Sequence, residues 1–113
     1  MKVLSALPLA AAVLMLSACA SVQDVNKSEP VFYGSTARPA QEYLSCVASA
    51  WKGQGVDFKQ NEIKNGGEVV VEGTLGVEAV LSATTWRGKT DAKLNTRRPS
   101  RAVTLSDSAN LCL

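Results

Sequence analysis

Apolar residues run almost unbroken from Val3 to Leu16 behind a single Lys2, and then give way to polar positions without any sustained period. The run is shorter than the roughly 20 residues a bilayer-spanning helix needs, and its charged start and small-residue end have the form of an export signal. Residues 20 to about 36 are polar apart from the cluster Val31-Phe32-Tyr33, which is expected to dock on the domain that follows. From about Arg38 to Lys52 the apolar residues Tyr43, Leu44, Val47, Ala48, Ala50 and Trp51 recur at three- and four-residue steps, which predicts an amphipathic helix. Ser35 or Thr36 can cap its start, Pro39 fits its first turn, and Gly53 and Gly55 can end it.

Beyond Val56 the period falls toward two. Val56, Phe58 and Ile63 mark a first strand, Asn65-Gly66-Gly67 a tight turn, and Glu68 to Gly73 a second strand. A third strand follows from Val77 to Trp86, with Val77, Ala79, Leu81, Ala83 and Thr85 on one face. The basic segment from Arg87 to Ser100 is expected to be a long solvated loop or hairpin, and Pro99 disfavours a central strand there. A last strand is expected from Arg101 to Leu105, after which Ser106 to Leu113 returns Cys112 toward the helix. The expected fold is α+β: one N-terminal helix on a three- or four-stranded antiparallel sheet.

Leu16-Ser17-Ala18-Cys19, at the end of the apolar run, resembles the bacterial lipobox. The resemblance implies a lipoprotein precursor cut before Cys19, whose thiol accepts lipid, and Ala20 in place of aspartate implies sorting to the outer membrane, facing the periplasm. Residues 1–18 are then a signal peptide, 19–37 a lipidated anchor and tether, and 38–113 one small domain. More than one acyl chain makes such anchoring stable. The whole is similar to small proteobacterial envelope lipoproteins.

An exported chain changes the meaning of its cysteines. Apart from Cys19 only Cys46 and Cys112 remain, an even pair in an oxidising compartment, where a disulfide is favoured over two buried thiols or a metal site. Two thiolates without any histidine make a poor zinc site, and no metal or other cofactor is expected.

Charge and residue chemistry narrow the function. The net charge of +2 falls to +1 when Lys2 is lost, which gives no reason to expect nucleic acid as a partner. The absence of histidine excludes serine–histidine and cysteine–histidine nucleophiles. Glu68, Glu72 and Glu78 leave a carboxylate pair for glycoside cleavage formally open, but charges alternating with valines more often form a solvated sheet face. No phosphate-cradling glycine pattern occurs.

Six bases between Arg87 and Arg101 stand against Asp91 alone. Arg87, Arg97, Arg98 and Arg101, with Trp86 beside them, are therefore the candidate contact surface for an acidic envelope component or protein. The expected role is a membrane-anchored, non-enzymatic binding or accessory module. An immunity or inhibitor protein against a periplasmic toxin or lysozyme, and a structural outer-membrane lipoprotein without a discrete partner, are the alternatives.

Overall fold

A computed structural model of the chain describes residues 21–113; the signal segment 1–18, Cys19 and Ala20 lie outside the described residues. The elements are α1 (Val22–Asn26), β1 (Pro30–Thr36), α2 (Ala40–Gly53), β2 (Phe58–Ile63), β3 (Gly66–Gly73), β4 (Gly76–Trp86), β5 (Lys89–Thr96) and α3 (Pro99–Leu111). The strands form one antiparallel sheet in the order β1-β5-β4-β3-β2. No helix among the described residues is long and apolar enough to cross a membrane.

The α+β class holds, with five strands among the described residues rather than three or four and with three helices there rather than one. Three segments account for the difference. Pro30–Thr36, expected in the tether, is an edge strand paired with β5, because Phe32 alternates inward from exposed Val31 and Tyr33 and packs against the core. Lys89–Thr96, expected in a solvated loop or hairpin, forms a hairpin with β4 and is an inner strand between β1 and β4. Its buried positions Thr90, Ala92, Leu94 and Thr96 include two threonines and an alanine, so the alternation is present but weakly apolar. Arg101–Leu105, expected as a strand, belongs to α3, whose buried positions Leu105, Ser108 and Ala109, followed by Cys112, have helical spacing. Pro99 stands at the helix start, where its missing N–H costs nothing.

The helix-facing side of the sheet meets α2 and α3 in one core. Tyr43, Leu44, Val47 and Trp51 of α2 pack with Val69, Val71, Leu81 and Leu94 of the strands and with Leu105 and Ala109 of α3. Cys46 and Cys112 form a disulfide with their Cα atoms 5.8 Å apart, tying the middle of α2 to the end of α3. The start of α2 is capped from the sheet rather than by its own neighbours: the Ala40 N–H donates to Thr85 Oγ1 at 3.0 Å.

The turns are tighter than the glycines suggest. Asn65 and Arg87 take positive φ, 64° and 52°, and Gly88 follows Arg87 at 79°. Gly66 lies inside β3, where a Cβ would strike the Ala83 carbonyl of β4, so close strand approach and not turn geometry requires it.

Tyr43 is fully buried and its hydroxyl donates to the Ala109 carbonyl of α3 at 2.8 Å. Desolvation raises its phenol well above the ordinary tyrosine value. A folded-state value raised above the unfolded one gives stability that is complete below about pH 10 and is lost as pH climbs toward the folded value. In a Tyr33→Phe variant, which leaves Tyr43 as the one tyrosine, absorbance at the phenolate band should rise only together with unfolding above pH 10. A phenolate signal that precedes the loss of circular dichroism would contradict this burial.

The opposite, outer face of the sheet has its own small core. Val80 and Val70 are register partners on that face and are buried at 0% and 3% exposure. The short helix α1 packs across β4 and β5 there, with Val25 at 1% exposure. Asn95, opposite Val80 on the same face, donates from Nδ2 to the Ser28 carbonyl at 2.7 Å.

Candidate interaction surfaces

The six bases between Arg87 and Arg101 do not form one surface. Trp86 and Arg87 stand at the β4–β5 turn, while Arg97, Arg98 and Arg101 follow the other end of β5. An eight-residue strand separates the two groups by about 25 Å at the usual rise. Trp86 is 66% exposed, with the Arg87 guanidinium 5.5 Å from its ring centroid.

The three arginines at the far end are engaged by the domain itself. Arg97 donates from Nε to the Val77 carbonyl at 2.8 Å, and its backbone N–H to the Glu78 carbonyl at 3.0 Å. Arg98 and Arg101 reach the Glu78 carboxylate at 3.1 and 3.5 Å. Glu78 is the extra residue of a bulge in β4 and is 5% exposed. An isolated carboxylate buried to that degree is costly, so the two guanidiniums serve first to compensate it. They also lock the N-terminal turn of α3 against the sheet.

Space for Glu78 comes from Gly73. A Cβ at Gly73 would overlap the Glu78 carboxylate, although the backbone there is not left-handed. Gly73→Ala should therefore lower stability by about 1 to 2 kcal/mol through overpacking. Urea unfolding checks this, and the loss should shrink when Gly73→Ala is made in a Glu78→Ala background. Equal losses in both backgrounds would show that the two residues do not share that space.

The other glutamates named above have separate partners. Glu72 pairs with Lys59 at 3.2 Å, and Glu68 accepts from Asn61 Nδ2 at 3.3 Å. Among the described residues no group of three or more histidine, cysteine, aspartate or glutamate side chains is placed to hold a metal ion.

A cleft of about 460 Å3 opens between α2 and the β2 edge of the sheet. Leu44 and Val69 form its apolar floor, and Gln41, Ser45, Gln60 and Glu62 its polar walls. Gln41, Leu44 and Ser45 share one side of α2 by the three- and four-residue helical step. Register places Gln60 opposite Val69 and Glu62 opposite Gly67, hence on the helix-facing side of the sheet. Both are nonetheless exposed, because α2 packs over β3 and β4 and, of the helix-facing residues of β2, Phe58 alone packs against the core. Gly67 keeps the floor low, since a Cβ there would stand 3.0 Å from Leu44 Cδ1.

The cleft can supply amide and hydroxyl groups that donate and accept, and a carboxylate that only accepts. Beside it, β2 is an outer strand whose second backbone edge pairs with no strand among the described residues. Sequence reasoning did not find this site. Its signal was the run Lys59-Gln60-Asn61-Glu62, polar on both faces, which is the mark of a strand that neither layer covers.

Comparison of the chain with protein-family models, with curated proteins and with solved structures finds no match.

Proposed function

We propose that this chain is a lipoprotein of the bacterial envelope, held to the outer membrane through lipid on Cys19 and facing the periplasm. Its domain acts there as a non-enzymatic binding or accessory module. The observation that carries the binding role is the polar cleft between α2 and β2. The other strands turn their helix-facing side chains into a packed core, whereas β2 turns Gln60 and Glu62 into open space beside Gln41 and Ser45. Such a lining suits the amide, hydroxyl or ammonium groups of an extended partner, and the free edge of β2 can add a strand.

The Cys46–Cys112 bridge supports export, because disulfides persist in oxidising compartments. The partner surface is placed at the cleft rather than at Arg97, Arg98 and Arg101, since those groups already serve internal acceptors.

Site-specific photo-crosslinking in intact envelope tests the reading. A photoreactive side chain at position 60 should capture one stoichiometric partner that the same group at exposed position 103 does not, and Ser45→Trp should abolish capture by filling the cleft. Equal capture from both positions, or none from position 60, would reject the cleft as a binding site. Absence of any stoichiometric partner would favour a structural lipoprotein instead.

A further inference from the structure

Ser21, two positions after the proposed anchor, already caps a helix packed on the sheet. Ser21 is the N-cap of α1: its hydroxyl accepts from the Asp24 N–H at 3.3 Å, and its own N–H donates to Asp24 Oδ2 at 3.1 Å. The bond from the Ser21 backbone N–H, and then one that the Ser21 hydroxyl donates to Asp24 Oδ2 at 3.0 Å, hold the Asp24 carboxyl below its ordinary value. With Val25 buried and Ser28 held by Asn95, the chain is fixed to the outer face of the sheet from Ser21 onward. In the sequence only Ala20 separates Ser21 from Cys19. Two residue steps reach at most about 7 Å, so lipid on Cys19 leaves the domain almost no leash. The start of α1 is then held close to the bilayer.

That face carries the side chains an interface with lipid requires. By register Tyr33 stands opposite Lys93, Ser35 opposite Asp91, and Trp86 opposite Lys89. Tyr33 is 72% exposed, while Leu94, which faces the helices one position from Lys93, is fully buried. Tyrosine and tryptophan concentrate at the level of lipid headgroups, where one end of the ring is wet and the other apolar. Arg87, Lys89 and Lys93 bring positive charge to the same region. Several carboxylates of this face have partners: Asp91 accepts from Ser35 Oγ at 2.8 Å and lies 3.8 Å from Lys89 Nζ, Asp24 is used in the cap, Glu68 accepts from Asn61, and Glu72 pairs with Lys59, whereas Glu29 is exposed.

We infer that the outer face of the sheet rests on the membrane surface, with Tyr33 and Trp86 at headgroup depth and Arg87, Lys89 and Lys93 against anionic phospholipid headgroups. This arrangement rests on the acylation of Cys19 proposed above, and it turns the α2–β2 cleft, which opens on the helix side, away from the bilayer.

The test reconstitutes the acylated protein, purified from envelope, in vesicles of phosphatidylethanolamine and phosphatidylglycerol whose acyl chains carry bromine near the headgroup. Flotation on a density gradient reports anchoring alone. Trp86 emission, taken as the difference between the chain and its Trp86→Phe variant, should be largely quenched by brominated lipid and shielded from acrylamide. Replacing Lys89 and Lys93 together by glutamine should weaken that quenching, and raising salt should weaken it in the unsubstituted chain. A chain that floats while Trp86 stays unquenched and open to acrylamide overturns the orientation but leaves the anchoring intact. So does a Trp86 shielded only in native envelope, by a protein cross-linked to it. A chain that does not float overturns the anchoring and this inference with it.

Discussion

A chain in which Cys46 and Cys112 are both replaced by alanine is expected to lose about 4 kcal/mol of stability relative to the oxidised protein. The bridge joins residues 66 apart in sequence, and closing so long a loop restricts the unfolded ensemble strongly. Domains of this kind have only about 5 to 15 kcal/mol in total, so the loss is a large share of what holds the fold. The two helices would still meet through the Tyr43 bond to Ala109 and a Gln54 Nε2 bond to Ser108 Oγ at 3.2 Å. Such contacts act only once the chain is already folded, whereas the crosslink also acts on the unfolded state. Urea unfolding followed by circular dichroism measures the difference. A change below about 1 kcal/mol would mean that the core alone sets the stability and that the crosslink is incidental.

Replacing Arg98 and Arg101 together by methionine is expected to cost about 2 kcal/mol, because it strands the Glu78 carboxylate in a site that is almost closed to water. Breaking a fully buried pair costs more than this, but both arginines are partly exposed, with side-chain exposures of 55% and 42%, so solvent already screens their side of the interaction. Methionine keeps the aliphatic stem, which separates loss of charge from loss of packing. Adding Glu78→Gln to the double variant should recover part of the stability, since a neutral amide costs less to bury than an unpaired carboxylate. If the triple variant is less stable than the double, the arginines do not act by compensating Glu78. The experiment also separates a structural role from partner recognition, which would leave the unfolding midpoint unchanged.

The parts of the fold that showed in the sequence are those in which one physical signal dominates. Tyr43, Leu44, Val47 and Trp51 repeat at helical steps because α2 buries a single stripe. Val69 to Val71 and Ala79 to Leu81 lie in strands buried on both faces, by the helices on one side and α1 on the other, and such strands are apolar throughout. In β5 the inward positions hold Thr90, Ala92 and Thr96, while the outward Lys89, Asp91 and Lys93 set the apparent character of the segment. Their polarity belongs to the outer face and hid a strand near the middle of the sheet.

In α3, Val103 and Leu105 imitate a strand period, but Val103 is 71% exposed and the stripe that matters runs through Leu105, Ser108, Ala109 and Cys112. The serine in that stripe removes the apolar signal a helix usually gives. The pairing of Cys46 with Cys112 followed from cysteine number and the compartment that the lipobox resemblance implies, without any knowledge of the topology between them. The arginines were misleading for a different reason. Sequence shows a charge run, but only the fold shows that Glu78, twenty positions before Arg98, is buried where it needs two of them.

The proposed arrangement is a two-sided module, with lipid and the outer face of the sheet toward the membrane and the α2–β2 cleft toward the periplasm. All of it depends on the chemistry at Cys19. Intact-mass and fragment-ion spectrometry of the protein purified from the bacterial envelope addresses that point directly. The account predicts a chain that starts at Cys19 and carries a diacylglyceryl group on its sulfur; a chain that starts at Met1 with a free Cys19 thiol would contradict it.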